Sequence, residues 1–91
     1  MTQRPLLVKI PVGSRCISFP GEDALIGMTG FFVRGVQLLA GTPVVVRFCR
    51  GRDEVSVPGT VYAHYTGLGL SVEFQESSGP AVKRLASLLA A

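Results

Sequence analysis

The chain has 91 residues, enough for one domain at most. Apolar residues make up 47% of it and charged residues 16%. That composition supports a packed core, argues against disorder, and leaves so little surface charge that dimerisation or docking on a partner is favoured. The net charge of +3 comes from cations scattered along the chain apart from Arg47, Arg50 and Arg52, a cluster that Asp53 and Glu54 dilute and that reads as a solvated hairpin tip, so it is no nucleic-acid signature in itself.

No apolar run approaches the roughly 20 residues of a membrane span, and no apolar segment of a targeting sequence follows Met1. Cys16, Cys49 and the single His64 form no metal pattern. A cytoplasmic protein with reduced thiols and no membrane insertion is the expectation.

In chain order, residues 6–11 are apolar-rich and Gly13-Ser14 breaks the run. Residues 15–19 then alternate, so the two segments read as a first hairpin. Residues 20–23, Pro-Gly-Glu-Asp, are a turn by composition. Residues 24–26 resume as a strand and 31–34 continue it. Gly27 and Gly30 between them suggest a bulge or tight corner. Residues 35–42 read as a connection, with Leu38 and Leu39 tucked beneath it.

Residues 43–49 put Val44, Val46 and Phe48 on one face and Val45, Arg47 and Cys49 on the other. Residues 50–53 are a hairpin tip and 54–65 the return strand. Pro58-Gly59 marks a break or edge position in it. Beyond that point Val61, Ala63 and Tyr65 are expected on one face, with Thr60, Tyr62 and His64 on the other. Leu68, Leu70, Val72 and Phe74 share the last strand face.

Ser78 or Gly79 can cap a closing helix over about 79–90, and Pro80 suits its first turn. Val82, Leu85, Leu88 and Leu89 recur at helical spacing on one side. The tally is five to seven strands and one helix in a single all-β domain spanning 1–91. Closure into a small barrel would remove the exposed strand edges.

Catalytic chemistry is not written in the pattern. The carboxylates Glu22, Asp23, Asp53, Glu54, Glu73 and Glu76 make no paired acid–base set, and no phosphate-binding glycine loop opens a helix. His64 reads as a surface or interface histidine, and both cysteines read as small packing residues. The expectation is a protein that is not an enzyme and holds no metal.

Four stretches together resemble the PilZ domain family. They are Gly30-Phe31-Phe32-Val33-Arg34; Leu39-Ala40-Gly41-Thr42-Pro43-Val44; Val57-Pro58-Gly59-Thr60-Val61; and Gly67-Leu68-Gly69-Leu70-Ser71-Val72-Glu73-Phe74. The resemblance covers about residue 24 to the C-terminus. It implies a six-stranded antiparallel β-barrel with a C-terminal α-helix.

It also implies a place for cyclic di-GMP, held in typical members by an Arg-x-x-x-Arg segment and an Asp/Asn-x-Ser-x-x-Gly motif. Here Arg4 is followed four positions later by Val8. The second motif falls on residues 25–30, where Leu25 and Gly27 replace the acid and serine and only Gly30 remains. Each lost charged hydrogen bond is worth about 1–3 kcal/mol, against about 8 kcal/mol for micromolar binding. Arg4, Leu25, Gly27 and Gly30 are thus degenerate ligand positions.

Degenerate members of the family act through protein contacts, type IV pilus assembly being the best-known setting. The resemblance accordingly implies a regulatory or adaptor domain in bacterial motility, pilus or surface signalling, with no cofactor and with a protein partner or a second copy of itself. Phe31, Phe32, Arg34, Tyr62 and His64 are the candidate contacts, core packing being the alternative for both phenylalanines. Two other functions compete: a cyclic di-GMP receptor with a non-standard site using Arg4, Lys9 or Arg15, and a small basic barrel that binds nucleic acid.

Overall fold

Alternation along the strands decides which side chains form the core. In the computed structural model, which describes residues 4–77 and 79–90, Val44, Val46 and Phe48 are all buried. So are Leu70, Val72 and Phe74. Among the described residues seven strands form: β1 (Leu6–Val12), β2 (Arg15–Pro20), β3 (Ala24–Ile26), β4 (Gly30–Arg34), β5 (Pro43–Arg50), β6 (Asp53–Tyr65) and β7 (Gly69–Phe74). A single 3-10 turn (Gly21–Asp23) links β2 to β3, and one helix, α1 (Pro80–Ala90), follows β7.

The strands make one curled sheet in the order β2-β1-β5-β6-β7-β4-β3, antiparallel at every step. It is a half-barrel. There are seven strands where the family resemblance implies six, and the barrel does not close. Strand parity gives the reason. Six antiparallel steps leave the edge strands β2 and β3 running in the same direction. Three residues join them, whereas a parallel pair needs a crossover of a dozen or more.

Helix α1 packs against β6, and Val82, Leu85 and Leu88 enter the same buried cluster as the inward strand residues. The helix thereby covers the concave side that closure would have sealed. Its first intrahelical bond runs from the Lys83 N–H to the Gly79 carbonyl, 3.2 Å, which puts Gly79 at the cap. The other expected cap, Ser78, lies outside the described residues.

At the centre Phe31, Phe48 and Phe74 stand with ring centroids 6.0–6.1 Å apart, two of the three pairs edge-on. Phe19 joins them 6.4 Å from Phe31. Such pairs contribute about 0.5–1.5 kcal/mol beyond the area they bury.

Several local expectations are corrected. Pro58-Gly59 does not break β6, which is paired with β5 throughout residues 53–60. The Pro58 carbonyl accepts from the Gln75 N–H at 3.0 Å. In an antiparallel ladder a residue's nitrogen points the same way as its carbonyl, so the missing N–H faces the end of β7 and spares the β5 ladder. Leu39 is not tucked under its connection but is 82% exposed, and Leu68 sits exposed in the turn before β7. Cys16 is exposed on β2, the strand's outward position, and does not pack inside.

The 27–30 corner is tight, as its two glycines suggest. The Gly27 N–H donates to the Gly30 carbonyl at 2.9 Å, and the Phe74 N–H donates to the Thr29 carbonyl at 2.8 Å.

Candidate functional site

The two tyrosines, Tyr62 and Tyr65, are three positions apart, so a regular strand would send them to opposite faces. They share a face because β6 is bulged. Val61 pairs with Val72, but the next pairing is Ala63 with Ser71, which leaves Tyr62 as the extra residue. Before the bulge Val61 points into the core. After it Ala63 takes the outward register of Ser71, His64 the inward register of Leu70, and Tyr65 faces out again. Bulges re-aim side chains in this way, often near functional surfaces.

The bulge corrects the expected pattern for Ala63, His64 and Tyr65. Tyr65 is not on the face of Val61, because it stands 47% exposed with its ring 6.2 Å from that of Phe32. His64 does not share the outer face of Tyr62. Its Nε2 is buried and has no hydrogen-bond partner among the described residues.

The outer face then assembles from four strands. Leu25 on β3 pairs with Phe32 on β4, Phe32 with Ser71 on β7, and Ser71 with Ala63 on β6. Leu25 is 77% exposed and Tyr62 is 68% exposed. Leu25, Phe32 and Tyr62 line one shallow hollow together with Thr29, Ser71 and Glu73. A neighbouring hollow, bounded by Glu22, Asp23 and Arg34, shares Leu25 and Phe32 with it. The remaining exposed large apolar side chains lie elsewhere: Met28, Leu39 and Leu68 in turns, Leu7 on β1 and Val45 on β5.

Of the candidate contacts, the structure brings together Phe32, Arg34 and Tyr62. It leaves out Phe31, which is 4% exposed in the aromatic core and offers no surface. Sequence reasoning missed Tyr65, Glu22 and Asp23. The adjacency of Pro20-Gly21 to two acids marked only a turn, and plain alternation put Tyr65 on the wrong side.

The degenerate ligand positions do not all converge. Leu25 and Gly30 border the apolar hollow. Gly27 is held in the β3–β4 corner. Arg4 lies over the β5–β6 hairpin tip, where a Cβ added to Gly51 would meet its Cδ at 2.7 Å. Gly30 has a packing reason for being glycine: any Cβ there would fall on the Val72 carbonyl oxygen of β7.

The cations gather on other elements. Lys9 on β1 pairs with Arg47 on β5, and Arg47 lies 3.8 Å from Glu54, both half exposed. An ion pair so exposed contributes about 0–1 kcal/mol. Burial, with Glu54 adding to it, pushes the Cys49 thiol up, which disfavours the reactive thiolate at neutral pH. Among the described residues no group of three or more His, Cys, Asp or Glu could hold a metal ion. No helix of the described residues is long and apolar enough to cross a membrane.

No protein-family profile matches the chain, and no curated protein matches it significantly.

Proposed function

We propose that the chain is a non-enzymatic adaptor domain, resembling the degenerate PilZ domains, that acts by binding a protein partner. The setting is bacterial motility, pilus or surface signalling in the cytoplasm. One observation carries this reading. The stretch where the family's nucleotide motif would fall, residues 25–30, instead borders an outward apolar surface built from Leu25, Phe32, Tyr62 and Tyr65. Exposed aromatic residues at the centre of a patch are the usual anchors of protein interfaces.

The same arrangement weighs against the two competing functions. A cyclic dinucleotide carries two phosphates, yet Glu22 and Asp23 flank this surface and Arg4 stands over Gly51. Single-stranded nucleic acid needs aromatic residues interleaved with cations. Here Lys9 and Arg47 stand with Leu7 and Cys49 on the β1–β5 part of the outer face, while Tyr62, Tyr65 and Phe32 stand on its β6–β7–β4 part.

In-cell photocrosslinking tests the proposal. With a benzophenone side chain replacing Tyr62, a discrete crosslinked protein is expected; with the same group at Arg47 on β5 it is not. Equal crosslinking from both positions, or none from Tyr62, Leu25 and Phe32 in turn, would sink the idea.

A further inference from the structure

The outer face is distinguished by its charge as much as by its apolar residues. The segments that form it are the turn Gly21–Asp23, β3, β4, the end of β6 and β7. They hold the acids Glu22, Asp23 and Glu73 and the single cation Arg34. The local balance is −2 in a chain whose net charge is +3. Half of the chain's six acids therefore border this apolar surface, while eight of its nine cations lie outside it.

Two of these acids sit where the hollow beside Leu25 and Phe32 begins, and Glu73 lines the hollow beside Tyr62. Both hollows along the apolar strip thus carry carboxylates, the first with Arg34 beside them. Helix α1 of a second copy does not complement this strip. Helix α1 carries Lys83 and Arg84 outward, but its apolar residues Val82, Leu85 and Leu88 are committed to the core.

We propose that this face docks a basic amphipathic segment of a protein partner. Apolar side chains of that segment seat on Leu25, Phe32, Tyr62 and Tyr65. Its lysines or arginines meet Glu22 and Asp23 in one hollow and Glu73 in the other. This rests on the protein-adaptor reading above and adds the chemistry of the partner. The bulge at Tyr62 is what makes the site, since it turns both tyrosines toward the same ligand. A charge-complementary rim adds encounter rate and partner choice more than affinity, and it is screened by salt.

The chain supplies its own reporter. It has no tryptophan and two tyrosines, both on this face, so tyrosine emission reads binding there alone. The probes are two 14-residue peptides without aromatic residues, one built from Leu and Lys and one from Leu and Glu, titrated into the whole chain. The Leu/Lys peptide is expected to change tyrosine emission saturably and to bind less tightly as salt rises. Leu25→Ser, and separately Glu22→Lys with Asp23→Lys, are each expected to weaken it at least tenfold. Leu25 and both acids are exposed, and unchanged circular dichroism verifies that the variants fold.

The Leu/Glu peptide is expected to leave the emission unchanged. If it binds as tightly as the Leu/Lys peptide and Leu25→Ser weakens both, the basic partner class is overturned while docking at this face stands. If neither peptide changes the emission, the face itself is overturned as the docking surface. Crosslinking from Tyr62 then decides separately whether the chain is an adaptor at all.

Discussion

Phe31→Ala lowers the stability of the fold by about 3–5 kcal/mol, the usual effect of emptying a buried aromatic site. Its neighbour Phe32→Ala costs about 1 kcal/mol, in the range of a lost cross-strand aromatic contact. The two residues are adjacent and identical, so the difference isolates their environments. Phe31 meets Phe19, Phe48 and Phe74 within 6.4 Å between ring centroids and is 4% exposed. Phe32 is half-buried, and its ring lies 6.2 Å from that of Tyr65.

A domain of this size has about 5–15 kcal/mol in total, so Phe31→Ala brings it close to unfolding at room temperature. Urea unfolding of both variants, followed by circular dichroism, gives the two midpoints. Equal midpoints would mean that the face assignments along β4 are wrong. Binding of the Leu/Lys peptide is expected to separate them in the opposite sense, because Phe32 borders the proposed docking face and Phe31 is buried in the core.

Gly30→Ala is the second large effect. The added methyl would fall on the Val72 carbonyl oxygen, and the obstruction is backbone, so no side-chain rotation relieves it. β4 must move away from β7 along a pairing that runs from Gly30–Glu73 to Arg34–Gly69. The expected loss is about 3 kcal/mol, the upper end for forced overpacking.

Gly27→Ala is the control three residues earlier. Its nearest neighbour would be the Gly30 carbonyl oxygen at 3.8 Å, ordinary contact. The variant should stay within about 0.5 kcal/mol of the parent. Thermal melts of the pair distinguish two meanings of the one motif position that survives in this chain. A Gly30→Ala protein as stable as the parent would return Gly30 to the role of a ligand-approach glycine. A destabilised one makes it a requirement of sheet packing whether or not any nucleotide is bound.

Much of the architecture could be read because single strands announce themselves. Val44, Val46 and Phe48, and Leu70, Val72 and Phe74, alternate without ambiguity, and all six are buried. The helix could be read from Val82, Leu85 and Leu88 for the same reason. What stayed hidden depends on relations between strands. The bulge in β6 is set by how Val61 and Ala63 meet β7, and residues 61–65 carry no glycine to flag it. The faces expected for Ala63, His64 and Tyr65 were therefore inverted, while Tyr62 faces out as expected.

Strand parity is likewise a property of the whole sheet, so the open seam could not be read from any one segment, although the tally of five to seven strands includes the seven that form. Pro58 looked like a break because the direction of its missing N–H is fixed only by where β7 ends. At the candidate site, Phe32, Arg34 and Tyr62 were legible as residues suited to contact. Leu25 was legible only as a missing acid; its exposure beside Phe32, which gives it a positive role, appears once β3 and β4 are paired.

A titration of the labelled chain with cyclic di-GMP, followed by its amide NMR spectrum, separates the adaptor from a nucleotide receptor most directly. With Leu25 and Gly27 in place of the polar groups and Arg4 over Gly51, no amide is expected to shift at a large excess of the nucleotide. Saturable shifts of residues 25–30 together with Arg4 would contradict the adaptor reading and make the chain a receptor with a non-standard site.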